Sequence, residues 1–225
     1  MGFKAKRADF RRWTALGIAA ICLSAAPAIA APLSIVGFGD SLMAGYELPQ
    51  DQTFTAKLQS ELKQRGYDVV IANAGVSGDT SSDGLSRLAW SVPDGTDAVL
   101  LEQGANDALR GVSPEKTKAN LDAMIGRLHD RGIAVLLVGM LAPPNMGEAY
   151  TKTFDAIFDG LAKKYDLVFY PFFLDGVATH PDRQLSDGLH PNDKGTSIMA
   201  ERFLPYAEKL IDEVRARQAE AGKKG

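Results

Sequence analysis

Leu33-Ser34-Ile35-Val36-Gly37-Phe38-Gly39-Asp40-Ser41-Leu42 decides the fold. Its first six residues form a nearly unbroken apolar run of strand length. Gly39 then interrupts the run, and Asp40-Ser41 supplies two residue types favoured at helix N-caps. A strand that hands over directly to a helix is the opening half of a strand–helix–strand unit. Four more short runs read the same way: Val69–Ala72, Ala98–Leu101, Ala134–Gly139 and Leu167–Tyr170. All are rich in aliphatic residues and barely interrupted, as strands buried on both faces are.

Between the runs the period changes to that of a helix. Phe54, Leu58 and Leu62 recur every four residues. Leu121, Met124, Ile125 and Leu128 mark a second face, and Phe154, Ile157, Phe158, Leu161 and Tyr165 a third. Met199, Phe203, Tyr206, Leu210 and Val214 predict a closing helix with an irregularity at Pro205. Ser113-Pro114-Glu115 predicts a capped start with proline in the first turn. This alternation predicts an α/β fold, a parallel sheet covered by helices on both sides. In such sheets ligands bind beyond the carboxyl ends of the strands. Ser41 follows the first run, Gly78 the second, Asn106 the third, and Asp187 and His190 the fifth.

The amino terminus carries Lys4, Lys6, Arg7, Arg11 and Arg12, then an apolar stretch from Trp13 to Ala26, then Ala28-Ile29-Ala30. This is the layout of a secretory signal peptide cleaved after Ala30. A retained anchor needs about 20 apolar residues, more than this stretch supplies. Arg11-Arg12 lacks a fuller twin-arginine context, and bulky Ile21 before Cys22 argues against lipid modification. The expected organisation is therefore a leader at 1–30, one domain at 31–214, and a frayed polar tail at 215–225. Of 225 residues with net charge −3, the leader removes five basic residues and the acid Asp9, leaving a mature chain near −7. Such a chain is poorly suited to nucleic acid or anionic membrane surfaces. The single cysteine leaves with the leader, so the mature domain is held by its core rather than by disulfides.

Ser41 with Asp187-Gly188-Leu189-His190 supplies a nucleophile, an acidic orienter and a base. That is the minimum set for covalent acyl transfer. Asp40-Ser41 alone would read as a helix cap, but the helix start also offers free N–H groups for an oxyanion, so the two roles are compatible. Asp187 three residues before His190 puts both side chains on one side of the chain. The carboxylate can then fix the histidine tautomer that accepts the serine proton. Gly78 and Asn106 offer a close backbone N–H and a neutral amide donor, although each could also be an ordinary turn residue. His129, among charged neighbours, reads as solvated. His180 and Asp182 lack further ligands at metal-binding spacing, so no metal is expected. Trp90 could belong to the pocket or to the core, and the core is preferred. The nucleophile elbow G-x-S-x-G is absent, and Gly37 and Gly39 have Leu42 where a dinucleotide fingerprint needs its third glycine.

With these residues in place, the chain resembles the SGNH hydrolases of the GDSL lipase/esterase family over about Leu33 to Ile211. It is most similar to the exported bacterial branch of multifunctional thioesterase, lysophospholipase and arylesterase type. The matching segments are Gly39-Asp40-Ser41-Leu42, the surroundings of Gly78, Gly104-Ala105-Asn106-Asp107 and Asp187-Gly188-Leu189-His190-Pro191. The resemblance implies a flavodoxin-like three-layer α/β/α sandwich with a five-stranded parallel sheet. It implies Ser41, Asp187 and His190 as catalytic residues, and Ser41, Gly78 and Asn106 as the oxyanion hole. Ala105 replaces a second glycine common in the family. The apolar segment Met140–Met146, stiffened by Pro143 and Pro144, corresponds to a pocket loop. Leu42, Ala105, Leu141, Pro143, Met146 and Leu189 are the expected pocket lining.

The expected activity is hydrolysis of acyl or aryl esters or thioesters, lysophospholipids included, without a cofactor, in the periplasm or outside the cell. A carbohydrate O-acetyl esterase and a non-catalytic binding protein on the same fold are the alternatives.

Overall fold

The computed structural model describes residues 1–2 and 31–224. Apart from its first two residues, the leader expected at 1–30 lies outside the described residues. Five strands form one sheet: β1 (Leu33–Gly39), β2 (Val69–Gly75), β3 (Ala98–Glu102), β4 (Ala134–Val138) and β5 (Val168–Tyr170). They are all parallel, in the order β2-β1-β3-β4-β5. The chain steps outward from β1 to β2, then crosses back over β1 to β3 and proceeds the other way. The carboxyl ends of β1 and β3 therefore flank the point where strand order reverses, which is where such sheets open a crevice.

The longer helices are α2 (Phe54–Gln64), α3 (Ser81–Ser91), α5 (Pro114–Asp130), α6 (Glu148–Tyr165) and α7 (Asp193–Lys224). Two short ones, α1 (Ser41–Ala44) and α4 (Ala105–Leu109), begin directly beyond β1 and β3. Helix α2 packs with α7, while α5 packs with both α3 and α6. Because crossovers between parallel strands are right-handed as a rule, the reversal of direction at β1 puts these two groups on opposite faces, giving three layers. Phe54, Leu58 and Leu62 of α2 are fully buried, as are Leu121, Met124, Ile125 and Leu128 of α5. On the α2/α7 side, Phe54 meets Phe173 and Phe203 edge-to-face at 4.8 and 5.1 Å. Ser113 caps α5 by accepting from the Lys116 N–H, with Pro114 in the first turn.

Four expectations are corrected. β2 is an edge strand and is not buried on both faces: Val70 is 48% exposed. Trp90 is 74% exposed and not in the core, because Arg87 and Leu88 take the inward positions of that turn of α3. Helix α7 is continuous through Pro205, which lies on its exposed side, where the carbonyl freed by the missing N–H can meet water. The tail beyond Arg215 continues α7 to Lys224 instead of fraying. Arg217 pairs with Glu213 one turn back at 3.7 Å, and alanine alternates there with charged residues of high helix propensity.

Among the described residues no helix is long and apolar enough to cross a membrane.

Candidate active site

Ser41 is the first residue of α1, and Asp40 caps that helix by accepting the Leu42 N–H at 3.0 Å. As the first helical residue, Ser41 keeps its own N–H outside the helix's bonds. The helix lasts one turn because Gly45 adopts a left-handed conformation (φ 78°) and returns its N–H to the Ser41 carbonyl. That reversal brings Tyr46 back over the site. Its ring lies 4.4 Å from the His190 ring, tilted by 33°.

His190 arrives from the irregular segment between β5 and α7. Its Nε2 lies 2.8 Å from Ser41 Oγ, and its Nδ1 lies 2.6 Å from Asp187 Oδ2. The other Asp187 oxygen accepts the N–H groups of Leu189 at 2.9 Å and His190 at 3.0 Å. This local turn holds the carboxylate and the ring in register. Burial pushes the Asp187 carboxyl up, but the bonds from the His190 ring and from the two backbone N–H groups outweigh it and hold it down at about 2. At neutral pH Asp187 is thus a carboxylate, so Nδ1 must carry the proton and Nε2 is left to accept from Ser41.

Gly78 lies in the turn after β2 with φ 87°, in the left-handed region that glycine enters freely. Its carbonyl is fixed by Arg110 at 2.9 Å, and among the described residues its N–H has no protein acceptor. Asn106 sits in the first turn of α4, and its Nδ2 donates to Asp79 O at 2.9 Å and to Asp40 Oδ2 at 3.3 Å. The Asp79 carboxylate is held in turn by Arg87 Nε at 2.5 Å, and another Arg87 nitrogen donates to Gly39 O at 2.8 Å. One buried guanidinium therefore ties together the ends of β1, the Gly78 turn and the backbone that holds Asn106. Asp107 turns away from the site into the α3/α5 junction. It accepts from Ser81 N and Oγ and from Thr117 Oγ1.

These groups meet at the mouth of a cavity of about 400 Å³. Five of the six expected lining residues, Leu42, Ala105, Leu141, Pro143 and Leu189, form its wall. Met146 does not. A single tight turn at Pro144–Met146 carries it away from the wall, and its methyl packs toward Gly111. The wall also contains Met140, the first residue of the expected pocket loop, and Tyr46, Leu109 and Leu174, which the sequence did not single out. Leu109 and Leu189 are each 53% exposed, and Leu141 46%, so the rim is as apolar as the interior. His129 and His180 are exposed and take no part in the wall of this cavity. Among the described residues no cluster of three or more His, Cys, Asp or Glu side chains could hold a metal ion.

Taken chemically, the arrangement offers a hydroxyl facing an acceptor imidazole, a carboxylate on the far ring nitrogen, and backbone and amide donors beside the hydroxyl. An apolar cavity adjoins all of them.

The sequence pattern of the GDSL-like Lipase/Acylhydrolase family matches residues 38–198. The chain is 39% identical to an arylesterase of Vibrio mimicus over 181 residues, covering 80% of this chain and 90% of the relative. It is 32% identical to the Escherichia coli protein named thioesterase 1/protease 1/lysophospholipase L1, covering 81% of this chain and 87% of the relative. Among solved structures it is similar to AlinE4, described as a SGNH-hydrolase family esterase. The identity is 40% and the TM-score 0.69, covering 80% of this chain and 97% of that one.

Proposed function

The chain belongs to the GDSL-like lipase/acylhydrolase family and is a carboxylic ester hydrolase, and from that premise we propose that it works through a Ser41 acyl-enzyme on substrates with an apolar acyl or aryl group. Ser41 Oγ attacks the carbonyl carbon while its proton passes to His190 Nε2. The oxyanion forms against the N–H groups of Ser41 and Gly78 and the Asn106 amide. His190 then returns the proton to the departing alcohol or thiol, leaving the acyl group on Ser41. A water, deprotonated by the same nitrogen, releases the acid and restores the serine. The observation that carries this reading is the His190 ring bridging Ser41 and Asp187, at 2.8 and 2.6 Å, at the mouth of the apolar cavity.

The cavity favours acyl or aryl chains over acetyl groups on glycans, because its wall holds leucine, methionine and proline where a sugar would need polar partners. The names of the relatives span arylesterase, thioesterase and lysophospholipase, and esters, thioesters and lysophospholipids all fit the proposed chemistry. We also assign residues 1–30 to a signal peptide, so the enzyme acts outside the cytoplasm; a mature amino terminus at Ala31 is the check.

The experiment that tests the function is a series of initial rates on matched oxygen esters and thioesters of increasing acyl length. Rates that rise from acetyl to medium chains are expected. An apolar pocket discriminates by about 1–3 kcal/mol per methylene, so the rise should be graded rather than abrupt. Activity confined to acetyl groups would instead indicate a deacetylase.

Asn106→Ala is expected to lower kcat by about 10²- to 10³-fold, the typical effect of losing one oxyanion donor, with KM little changed. A loss confined to KM would remove Asn106 from the oxyanion hole.

A further inference from the structure

The floor beneath Ser41 is polar. Glu102, the last residue of β3, is fully buried, and its Oε2 accepts the Asp40 N–H at 2.9 Å. A methyl group on Gly39 would lie 2.3 Å from that oxygen, so Gly39 is needed because this carboxyl fills the space. Asp40 is fully buried as well. One of its oxygens caps α1 at Leu42 and the other accepts from Asn106 Nδ2. The two carboxyls share one buried space, and the nearby Asp40 charge adds to burial in disfavouring a charge on Glu102. Burial raises both, Asp40 to about 6 and Glu102 well above the ordinary carboxylate range. Among the described residues no donor reaches Glu102 Oε1, so a proton is tolerated on Glu102 where a charge is not.

We propose that Glu102 is a positioning residue for ester hydrolysis: as the neutral acid it donates to the Asp40 carboxylate and accepts the Asp40 N–H, fixing the residue that joins the Ser41 helix to the Asn106 amide. The proposal rests on the roles given above to Ser41 and Asn106.

The reason lies in the hydrogens of Asn106. Its amide carries two, directed at Asp79 O and, over the longer 3.3 Å, at Asp40. The second is the one an oxyanion must take. A bare carboxylate at Asp40 competes for it and sets a negative charge beside the one developing on the substrate. A proton donated by Glu102 draws the Asp40 charge away from Asn106. The charged groups facing the pair are few. His190 and Asp79 face Asp40, and Arg87 faces Glu102. Arg87 is already engaged with Asp79 and with the carbonyls of Gly39 and Ala74, and its guanidinium lies 4.1 Å over the Phe38 ring. It is not available to pair with Glu102. The proton on Glu102 does what a counter-ion would otherwise do.

The test compares Glu102→Gln and Glu102→Leu with the unaltered enzyme on one soluble ester, after thermal unfolding has checked that each is folded. The leucine variant should lose kcat by about 10- to 100-fold with KM nearly unchanged, because two of the three oxyanion donors are loosened together. Glutamine donates and accepts in the same places without a titratable proton, and should restore kcat to within about threefold of the unaltered enzyme. In the infrared, the unaltered enzyme at neutral pH should show the carbonyl stretch of a protonated carboxylic acid, and Glu102→Gln should lack it. That comparison decides the matter even if the leucine variant fails to fold. A leucine variant with normal kcat, a glutamine variant as slow as leucine, or no acid band in the unaltered enzyme would each overturn the role. The Ser41 variant tests the nucleophile separately, so failure of that reading and failure of this role are distinguishable.

Discussion

Ser41→Ala is expected to lower kcat by about 10⁶-fold, the scale of loss when a serine nucleophile is removed, while leaving the fold and substrate affinity close to those of the unaltered enzyme. The structure explains why the two effects separate. Ser41 Oγ makes one side-chain bond, to His190 Nε2; the helix it starts is capped by Asp40, not by its own hydroxyl. Alanine is the best helix former and leaves that cap in place. The N–H of residue 41 remains where it was, so the variant keeps the proposed oxyanion hole and the cavity without the proposed nucleophile. Residual turnover over the uncatalysed reaction should therefore persist through binding and polarisation alone. The measurement is kcat of the purified variant against active-site-titrated enzyme, with KM or inhibitor affinity as the control for folding. A covalent phosphonate should modify the unaltered enzyme at Ser41 and leave the variant untouched. Retention of more than a few percent of kcat would sink the assignment of Ser41 as nucleophile.

How far this site could be read from the sequence follows from where its parts sit. Four of the five strands were legible to within a residue at each end, because strands in the middle of a parallel sheet are buried on both faces and show as unbroken aliphatic runs, while β2 runs three residues past the expected Ala72 to Gly75. The exception in burial was β2, whose run looks the same although half of it faces solvent at the sheet edge. Ser41, Asp187 and His190 were legible because each belongs to a short segment with unusual local chemistry. Gly78 and Asn106 were legible because they follow strand ends. Helix α3 was not, since its inward face carries Ser81, Gly84 and Arg87 with Leu88 instead of an aliphatic stripe. Gly84 is required there because a methyl would come within 2.8 Å of the Gln103 amide. Its start is set by a reciprocal cap between Thr80 and Asp83, a signal present in the sequence but not followed by the apolar run that would have given it weight. Tyr46 and Leu174 lie in irregular chain, where no periodicity says which way a side chain points.

The buried charges were the least legible part. Glu102, Arg87 and Asp79 carry no periodic signal, and only the tertiary fold shows that Arg87 pairs with Asp79 and the Gly39 carbonyl while Glu102 takes the Asp40 N–H. Burial of this kind is costly unless every member is paired. It is concentrated at the β1/β3 crevice, directly under the proposed oxyanion hole. The apolar core holds the sheet together, and this small polar layer sets the angles of the groups above it. A sequence pattern can report the first of these because it is periodic. The second depends on which residues from four separate segments meet.

Asp187→Asn is expected to lower kcat by about 10⁴-fold, the scale seen when a triad aspartate is made neutral without changing its shape. Asparagine can still accept the Leu189 and His190 N–H groups through its carbonyl oxygen, so the turn that carries His190 should survive. What changes is the atom facing the ring. The position 2.6 Å from Nδ1, now a carboxylate oxygen, becomes an amide nitrogen whose hydrogens favour an unprotonated Nδ1. The proton then moves to Nε2, where it faces Ser41 and blocks the acceptance of the serine proton. The acid dependence should set this carboxylate apart. The Asp187 carboxyl is held at about 2, below its ordinary value, so whatever it contributes to stability is present above the ordinary carboxylate range and is lost only as pH falls towards 2. Activity lost at milder acidity therefore does not report this carboxylate. The variant's kcat and KM across pH, beside its unfolding curve, are the measurements. A loss smaller than about tenfold would mean that the turn and the Tyr46 ring, 4.4 Å from the imidazole, suffice to orient His190. In that case the carboxylate would owe its place to the turn, since Leu189 and His190 N–H groups need an acceptor there whatever the chemistry above them.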